Sequence, residues 1–213
     1  MEKPVIILGT LDLVKVALEI LQQNGVIVYG LMIDDQALKG QQISHVPVLS
    51  NTEDVVYLDL IGKKCTALVA TSQRNEQQAL VSMLQKQKEI IPISAIHPKA
   101  TLATSATLGQ GNILNTHASL GAGSVLGSHC ILHTQALIDY EVTVKDFVQI
   151  GAGSVVGAGA TINEKVFIGT GVTIIPGISI GAEASIGAGS VVLSNVQPGQ
   201  TVLGNPAKPI KCK

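Results

Sequence analysis

From Leu102 onward a branched aliphatic residue returns at every sixth position without a break. The series runs Leu102, Leu108, Leu114, Leu120, Leu126, Leu132, Ile138, Val144, Ile150, Val156, Ile162, Ile168, Ile174, Ile180, Ile186, Val192. With 46% of the chain apolar, sixteen successive hits arise by chance on the order of a few times in a million per starting point. Six is not a helical period, and glycine recurs here far too often for helix interiors. The residue after a hit is glycine at Gly109, Gly121, Gly127, Gly151, Gly157, Gly169, Gly181 and Gly187, and asparagine at Asn115 and Asn163. Both residue types tolerate turn conformations, so the chain is expected to turn there. Four places after a hit the side chain is small or β-branched, as at Ala106, Ala118, Ser124, Cys130, Ala136, Val142, Val148, Ser154 and Ala160. A large inward residue, a turn and a small inward residue describe a triangular prism of three short strands per coil. Fifteen hexads, three to a coil, make five coils, and stacking at ~4.8 Å gives a column roughly 24 Å tall. The period leaves handedness open, and by itself allows a solenoid with no active site.

The first 96 residues follow a different rhythm. PVIILG reads as a strand ending at Gly9, and Leu13, Val16, Ala17, Ile20 and Leu21 then fall on one helical face before Asn24-Gly25 stops it. VIVYGLMI reads as a second strand ending at Asp34-Asp35, GQQISHVPVLSN as irregular, 52–61 as a helix, TALVAT as a third strand and 76–88 as a helix. This alternation predicts a parallel sheet with crossover helices. The organisation expected is a small α/β domain over residues 1–96 and an all-β parallel helix with a C-terminal tail over 97–213.

Composition removes several function classes. A net charge of -1 with 14% charged residues gives no general attraction to nucleic acid or membrane. Two phenylalanines, three tyrosines and no tryptophan supply no platform for stacking bases. Cys65, Cys130 and Cys212 are too far apart for a zinc spacing and odd in number, so neither a metal site nor a disulfide framework is expected. No apolar run approaches the ~20 residues of a membrane span, and the cytoplasm is the default compartment.

At AIHPKA (95–100), through the hexads, to VLGNPAK (202–208), the sequence resembles the hexapeptide-repeat sugar O- and N-acetyltransferases. The group in question holds the sialic acid O-acetyltransferases and the N-acetyltransferases of nucleotide-linked amino sugars. The resemblance is weaker over the first domain. It implies a Rossmann-like N-terminal domain, a left-handed β-helix, a homotrimer, acetyl-CoA as donor in a cleft between adjacent prisms, and a sugar or nucleotide-sugar acceptor. It places Thr170 and Ala188 where backbone contacts the cofactor, and Lys208 and Lys211 where point charges can meet CoA phosphates.

The match breaks at the reaction centre. The family places a histidine between two acids, and here the run is Asp139, Tyr140, Glu141. A later family histidine that meets the acetyl group is replaced by Gln149 in DFVQI. A general base is most effective with a pKa near the working pH, and tyrosine ordinarily titrates near ~10. Tyr140 and Glu141 therefore remain as candidates for orienting the acceptor, with Asp139 beside them. Gln149 keeps an amide N–H for the thioester oxygen. His133, one residue after a hit, is the candidate for a relocated base. His117 and His129 sit at other turns, and His45 and His97 read as structural.

In the first domain the family's Gly-rich turn is reduced to Gly9 in GTLDLVK, and Asp12 there would repel a phosphate. Asp34 and Asp35 match the family's acidic pair, which meets the base or ribose. Two functions follow from these residues. One is an acetyl-CoA-dependent acyltransferase acting on an amino or hydroxyl group of a sugar-like molecule. The other is a non-catalytic trimeric homologue that binds or scaffolds.

Overall fold

The structure is a computed structural model that describes residues 3–210 and all their side chains except those of residues 87 and 88. The chain divides into two compact units, residues 1–98 and 99–213, and the 96/97 boundary expected from sequence falls two residues earlier.

In the first unit the chain runs β1 (Val5–Gly9), α1 (Leu11–Gln23), β2 (Val28–Ile33), β3 (Gln42–Ile43), β4 (Val46–Ser50), α2 (Val55–Leu58), β5 (Thr66–Ala70) and α3 (Arg74–Lys88). The sheet order is β3-β4-β2-β1-β5, with β4, β2, β1 and β5 parallel. All of β1 is buried, as expected for a central parallel strand covered on both faces. Helix α1 buries Leu13, Val14, Ala17, Leu18, Ile20 and Leu21. Val14 and Leu18 join this face and Val16 lies only half-buried, so the apolar stripe is wider than the one read from sequence.

Two expectations change here. GQQISHVPVLSN is not irregular: it forms an antiparallel hairpin of β3 and β4, turned by Ser44 and His45 at φ 47° and 67°, the left-handed pair that a two-residue hairpin requires. His45 is thus an exposed turn residue. The helix expected over 52–61 shrinks to the four residues of α2. The N–H and hydroxyl of Thr52 are drawn to the Asp34 carboxylate, both at 2.7 Å, and Val55 and Val56 stay exposed. With one buried apolar residue, Leu58, the segment has no face to extend a helix against.

The second unit is a prism of three parallel sheets. The first face stacks Thr101–Leu102, Ser119–Leu120, Leu137–Ile138, Val155–Val156, Thr173–Ile174 and Val191–Val192. The second stacks Thr107–Leu108, Val125–Leu126, Thr143–Val144, Thr161–Ile162 and Ser179–Ile180. The third carries Ile113–Leu114, Ile131–Leu132, Gln149–Ile150, Phe167–Ile168 and Ser185–Ile186, then Thr201–Leu203 and the antiparallel Lys208–Pro209. Every partner lies eighteen residues away within the regular stack, as in Gln149 with Phe167. From Leu114 onward the aliphatic residues of the six-residue series are buried, and those four places later fill the corners inside. Each such branched side chain removed from water contributes about 1.5–3 kcal/mol.

The glycines after the hits play a different part from the one expected. The left-handed residue of each turn lies two positions further on, at Gly111, His117, Gly123, His129, Gln135, Glu141, Phe147, Gly153, Gly159, Lys165, Gly171, Gly177, Glu183 and Gly189. The glycine directly after a hit is needed for close approach. A Cβ on Gly151 would stand 2.5 Å from the carbonyl carbon of Gly169, and one on Gly127 2.7 Å from that of Lys145. At these two corners the neighbouring coil leaves no room for a side chain. On the edge between the second and third faces, His129 stacks on Phe147 with ring centroids 5.0 Å apart. This contact, worth about 0.5–1.5 kcal/mol, offsets the cost of two non-glycine residues with positive φ.

Candidate active site

The prism has three edges, and the candidate residues fall on two of them. Asp139, Tyr140 and Glu141 form the turn between the first and second faces. Asp139 Oδ1 accepts the Tyr140 N–H at 2.8 Å, so part of this carboxylate fixes its own turn. Tyr140 is 55% exposed. Glu141 occupies the left-handed position at φ 54°, exposed to solvent.

The edge between the third and first faces gathers His133, Thr170 and Ala188, with Gln149 projecting outward from the third face beside it. His133 is half-buried, and its N–H donates to the Ile150 carbonyl at 3.0 Å. The Gln149 amide nitrogen lies 2.9 Å from His133 Nε2. That nitrogen can only donate, so the ring nitrogen accepts. Sequence spacing did not reveal this contact. It could have been found by noting that positions 133 and 149 are two residues short of one eighteen-residue coil, which places an edge residue beside an outward one.

Thr170 and Ala188 are exposed second residues of their turns. At two turns the side chain of the first residue caps the next N–H, Asp139 for Tyr140 and Asn115 for Thr116. Gly169 and Gly187 cannot do so. Among the described residues the N–H groups of Thr170 and Ala188 consequently have no hydrogen-bond partner. The edge thus presents a short ladder of uncapped backbone donors. The tail closes against its end: Gly204 N–H donates to Ser190 Oγ at 3.1 Å, Ala207 N–H to the Val191 carbonyl at 2.8 Å. Lys208, paired with Leu203, is exposed there. Lys211 lies outside the described residues.

The other histidines separate from this group. His97 is buried. His117 is an exposed left-handed residue on the same edge as His133. His129 is buried on the opposite edge, where burial pushes its pKa below 6.5 and Asp146 works weakly the other way. Cys130, inside the prism, has its thiol pushed up to about 12 by burial, so it is no nucleophile at neutral pH. Among the described residues no cluster of His, Cys, Asp and Glu could hold a metal ion, and no helix is long and apolar enough to cross a membrane.

In the first unit, Gly9, Asp34 and Asp35 line one open crevice of about 360 Å³ at the carboxyl ends of β1 and β2, with Thr10, Gln73 and Glu76. Carboxyl ends of parallel strands are where such sheets place ligands. Sequence reasoning missed Thr10, Gln73 and Glu76, which come from separate segments. Gly9 has a structural reason to lack a side chain, since a Cβ there would run into the Ala70 carbonyl. Asp34 holds Thr52, and Asp35 Oδ1 caps the short 3-10 turn at Ala37 N, 2.9 Å away. Both carboxylates shape the crevice wall as much as they line it.

Compared by sequence, the chain matches no protein-family model and no curated protein. Solved structures match over its whole length. A point variant of perosamine N-acetyltransferase from Caulobacter crescentus, in complex with CoA and GDP-perosamine, superposes with a TM-score of 0.91 at 27% identity, covering 98% of this chain and 97% of that one. The acetyltransferase domain of PglB from Neisseria gonorrhoeae, in complex with acetyl coenzyme A, gives 0.89 at 27% identity, with 99% and 100% covered. WeeI from Acinetobacter baumannii shares the fold at 0.83 and 22% identity, with 97% and 99% covered. The solved structures that this chain is similar to over its whole length are hexapeptide-repeat, left-handed β-helix sugar acetyltransferases.

Proposed function

We propose that the chain is an acetyl-CoA-dependent acyltransferase of the cytoplasm that acetylates a sugar-like acceptor, an amine in preference to a hydroxyl. The observation that carries this reading is the third-to-first edge. Its uncapped N–H groups at Thr170 and Ala188 suit the amide carbonyls of a pantetheine arm. Lys208, at the end of the same edge, suits a phosphate. The structural relatives crystallised with CoA or acetyl-CoA support the same donor. An amine with an appreciable free-base fraction is already a nucleophile, so it tolerates Tyr140 where the resembled family has histidine.

Tyr140, Glu141 and Asp139 stand on another edge of the same prism, so one chain does not bring them to Gln149. A second copy, offering its first-to-second edge to this chain's third-to-first edge, completes the site, and three copies close the ring. Tyr140 and Glu141 then orient the acceptor while Gln149 faces the thioester. In the Rossmann-like first unit, the crevice at Gly9, Asp34 and Asp35 is a separate candidate for holding a sugar or nucleotide-sugar. The relative from Caulobacter crescentus was solved with GDP-perosamine. Asp12, in the first turn of α1, disfavours a phosphate at that helix start, which argues for an acceptor held through its base, ribose or sugar.

The test is release of CoA thiol from acetyl-CoA with a panel of free and nucleotide-linked amino sugars. A second reading, a non-catalytic trimeric homologue, draws on the absence of a histidine beside Asp139 and Glu141. Acetyl-CoA binding with no thiol release for any amine or hydroxyl acceptor would favour it.

A further inference from the structure

Acetyl transfer sheds one proton from the amine, a positioned base speeds its removal, and Tyr140 is a poor base at neutral pH. Of the described histidines, His97 and His129 are buried, and His45 lies in the hairpin turn of the first unit. His117 and His133 remain, both on the edge with the uncapped donors. Of these two, His133 meets the amide of Gln149, 2.9 Å from its Nε2. Because the amide nitrogen donates to Nε2, the neutral ring carries its proton on Nδ1 and presents a lone pair at Nε2. The turns on either side along this edge bring Asn115, Thr116 and His117 from one coil, and Gly151, Ala152 and Gly153 from the other. His117 is the other titratable group among them. None of these six turn residues is an aspartate or a glutamate.

Resting on the acetyltransferase reading above, we propose that His133 is the proton acceptor of the transfer and that Gln149 is its positioning partner and the donor to the thioester oxygen. The acceptor N–H takes the place of the Gln149 N–H at Nε2, and the displaced amide N–H turns to the thioester carbonyl. The amine nitrogen attacks that carbon, the C–N bond forms, and the amine proton passes to Nε2. The C–S bond then breaks, and His133 returns the proton to the leaving thiolate. Amine and acetyl-CoA become acetamide and CoA thiol, with no other reactant. Imidazole and amide thus work as one unit on the donor edge.

The test is the pH dependence of kcat/KM for one amino-sugar acceptor in the wild type, H133N and Q149E, alongside 15N spectra of the histidine ring. Ionisation of the free amine is common to all three, so differences belong to the protein. H133N should lose about 100-fold or more, with its remaining acid-side fall set by the amine alone. Q149E should move the acid-side fall up by about one pH unit, because a carboxylate beside Nε2 favours the imidazolium, and the ring spectrum of His133 should titrate higher by the same amount. An H133N profile equal to the wild type, or an unshifted His133 titration in Q149E, would overturn the assignment while leaving transfer intact. A wild type that binds acetyl-CoA and turns over no acceptor would remove the transfer reading and this assignment with it.

Discussion

Tyr140 and Gln149 are nine residues apart in sequence, yet they project from different sides of the prism. Tyr140 is on the edge joining the first and second faces, and Gln149 is on the outside of the third. A reaction that uses both needs two chains. Tyr140→Ala and Gln149→Leu are each expected to lower turnover by about 100-fold. Refolded together in equal amounts, they should recover about one quarter of wild-type activity, the share of interfaces that unite two unaltered edges in a closed ring. Mixed protein as inactive as either variant would refute a site shared between chains.

The two kinds of glycine in the prism should differ in cost. Gly127→Ala drives a Cβ against the backbone of Lys145 and Asp146, which cannot yield without separating two coils, and should destabilise by about 3 kcal/mol. Gly177→Ala meets nothing within 4 Å and is strained only through φ +73°, a cost of about 1 kcal/mol. Urea titrations of the two variants measure the difference, and equal midpoints would contradict the close-approach account.

His129 makes the prism sensitive to mild acid. Its pKa in the folded chain is lowered by burial from 6.5, so below that value the unfolded chain binds more protons. The stability it contributes is present above the unfolded pKa and is lost as pH falls through the folded one. His129→Asn, a residue that accepts the left-handed turn, should lower Tm near pH 7 by losing the Phe147 stack. It should also show a flatter fall of Tm between about pH 7 and pH 5. An unchanged slope would place the acid sensitivity elsewhere.

Lys208 should act as an exposed point charge. Lys208→Ala is expected to weaken CoA by about fivefold at low salt, near 1 kcal/mol, and to leave a pantetheine fragment lacking the phosphates unaffected. Equal loss for both ligands would mean that the Lys208 hairpin shapes the cleft instead of pairing with phosphate.

The architecture was legible because its driving term is written at one period. Sixteen aliphatic residues six apart specify three inward strands per coil whatever the rest of the sequence does. What the period hid was conformational detail within the turn. Glycine is common at two turn positions for two reasons, room for the next coil at one and positive φ at the other, and His129, Phe147 and Glu141 occupy the second kind without being glycine. The β3–β4 hairpin was hidden because Val46, Val48 and Ser50 alternate inward within a stretch too polar to stand out. At the site, the identities of His133, Tyr140 and Gln149 were readable. Their distribution was not, since it depends on which edge each position reaches after several turns. The backbone donors at Thr170 and Ala188 carry no sequence signal of their own. Gly169 and Gly187 mark them, because a residue without a side chain cannot cap the N–H that follows.

The most direct test of the central claim is one calorimetric titration of the protein with acetyl-CoA, with CoA as second ligand, followed in the same buffer by thiol release on adding amino-sugar acceptors. The account predicts binding of both ligands with a Kd of about 1–100 μM and thiol released in step with acetamide formed on at least one amine. No heat with either ligand would contradict it, because the donor edge that carries the proposal would then hold no donor.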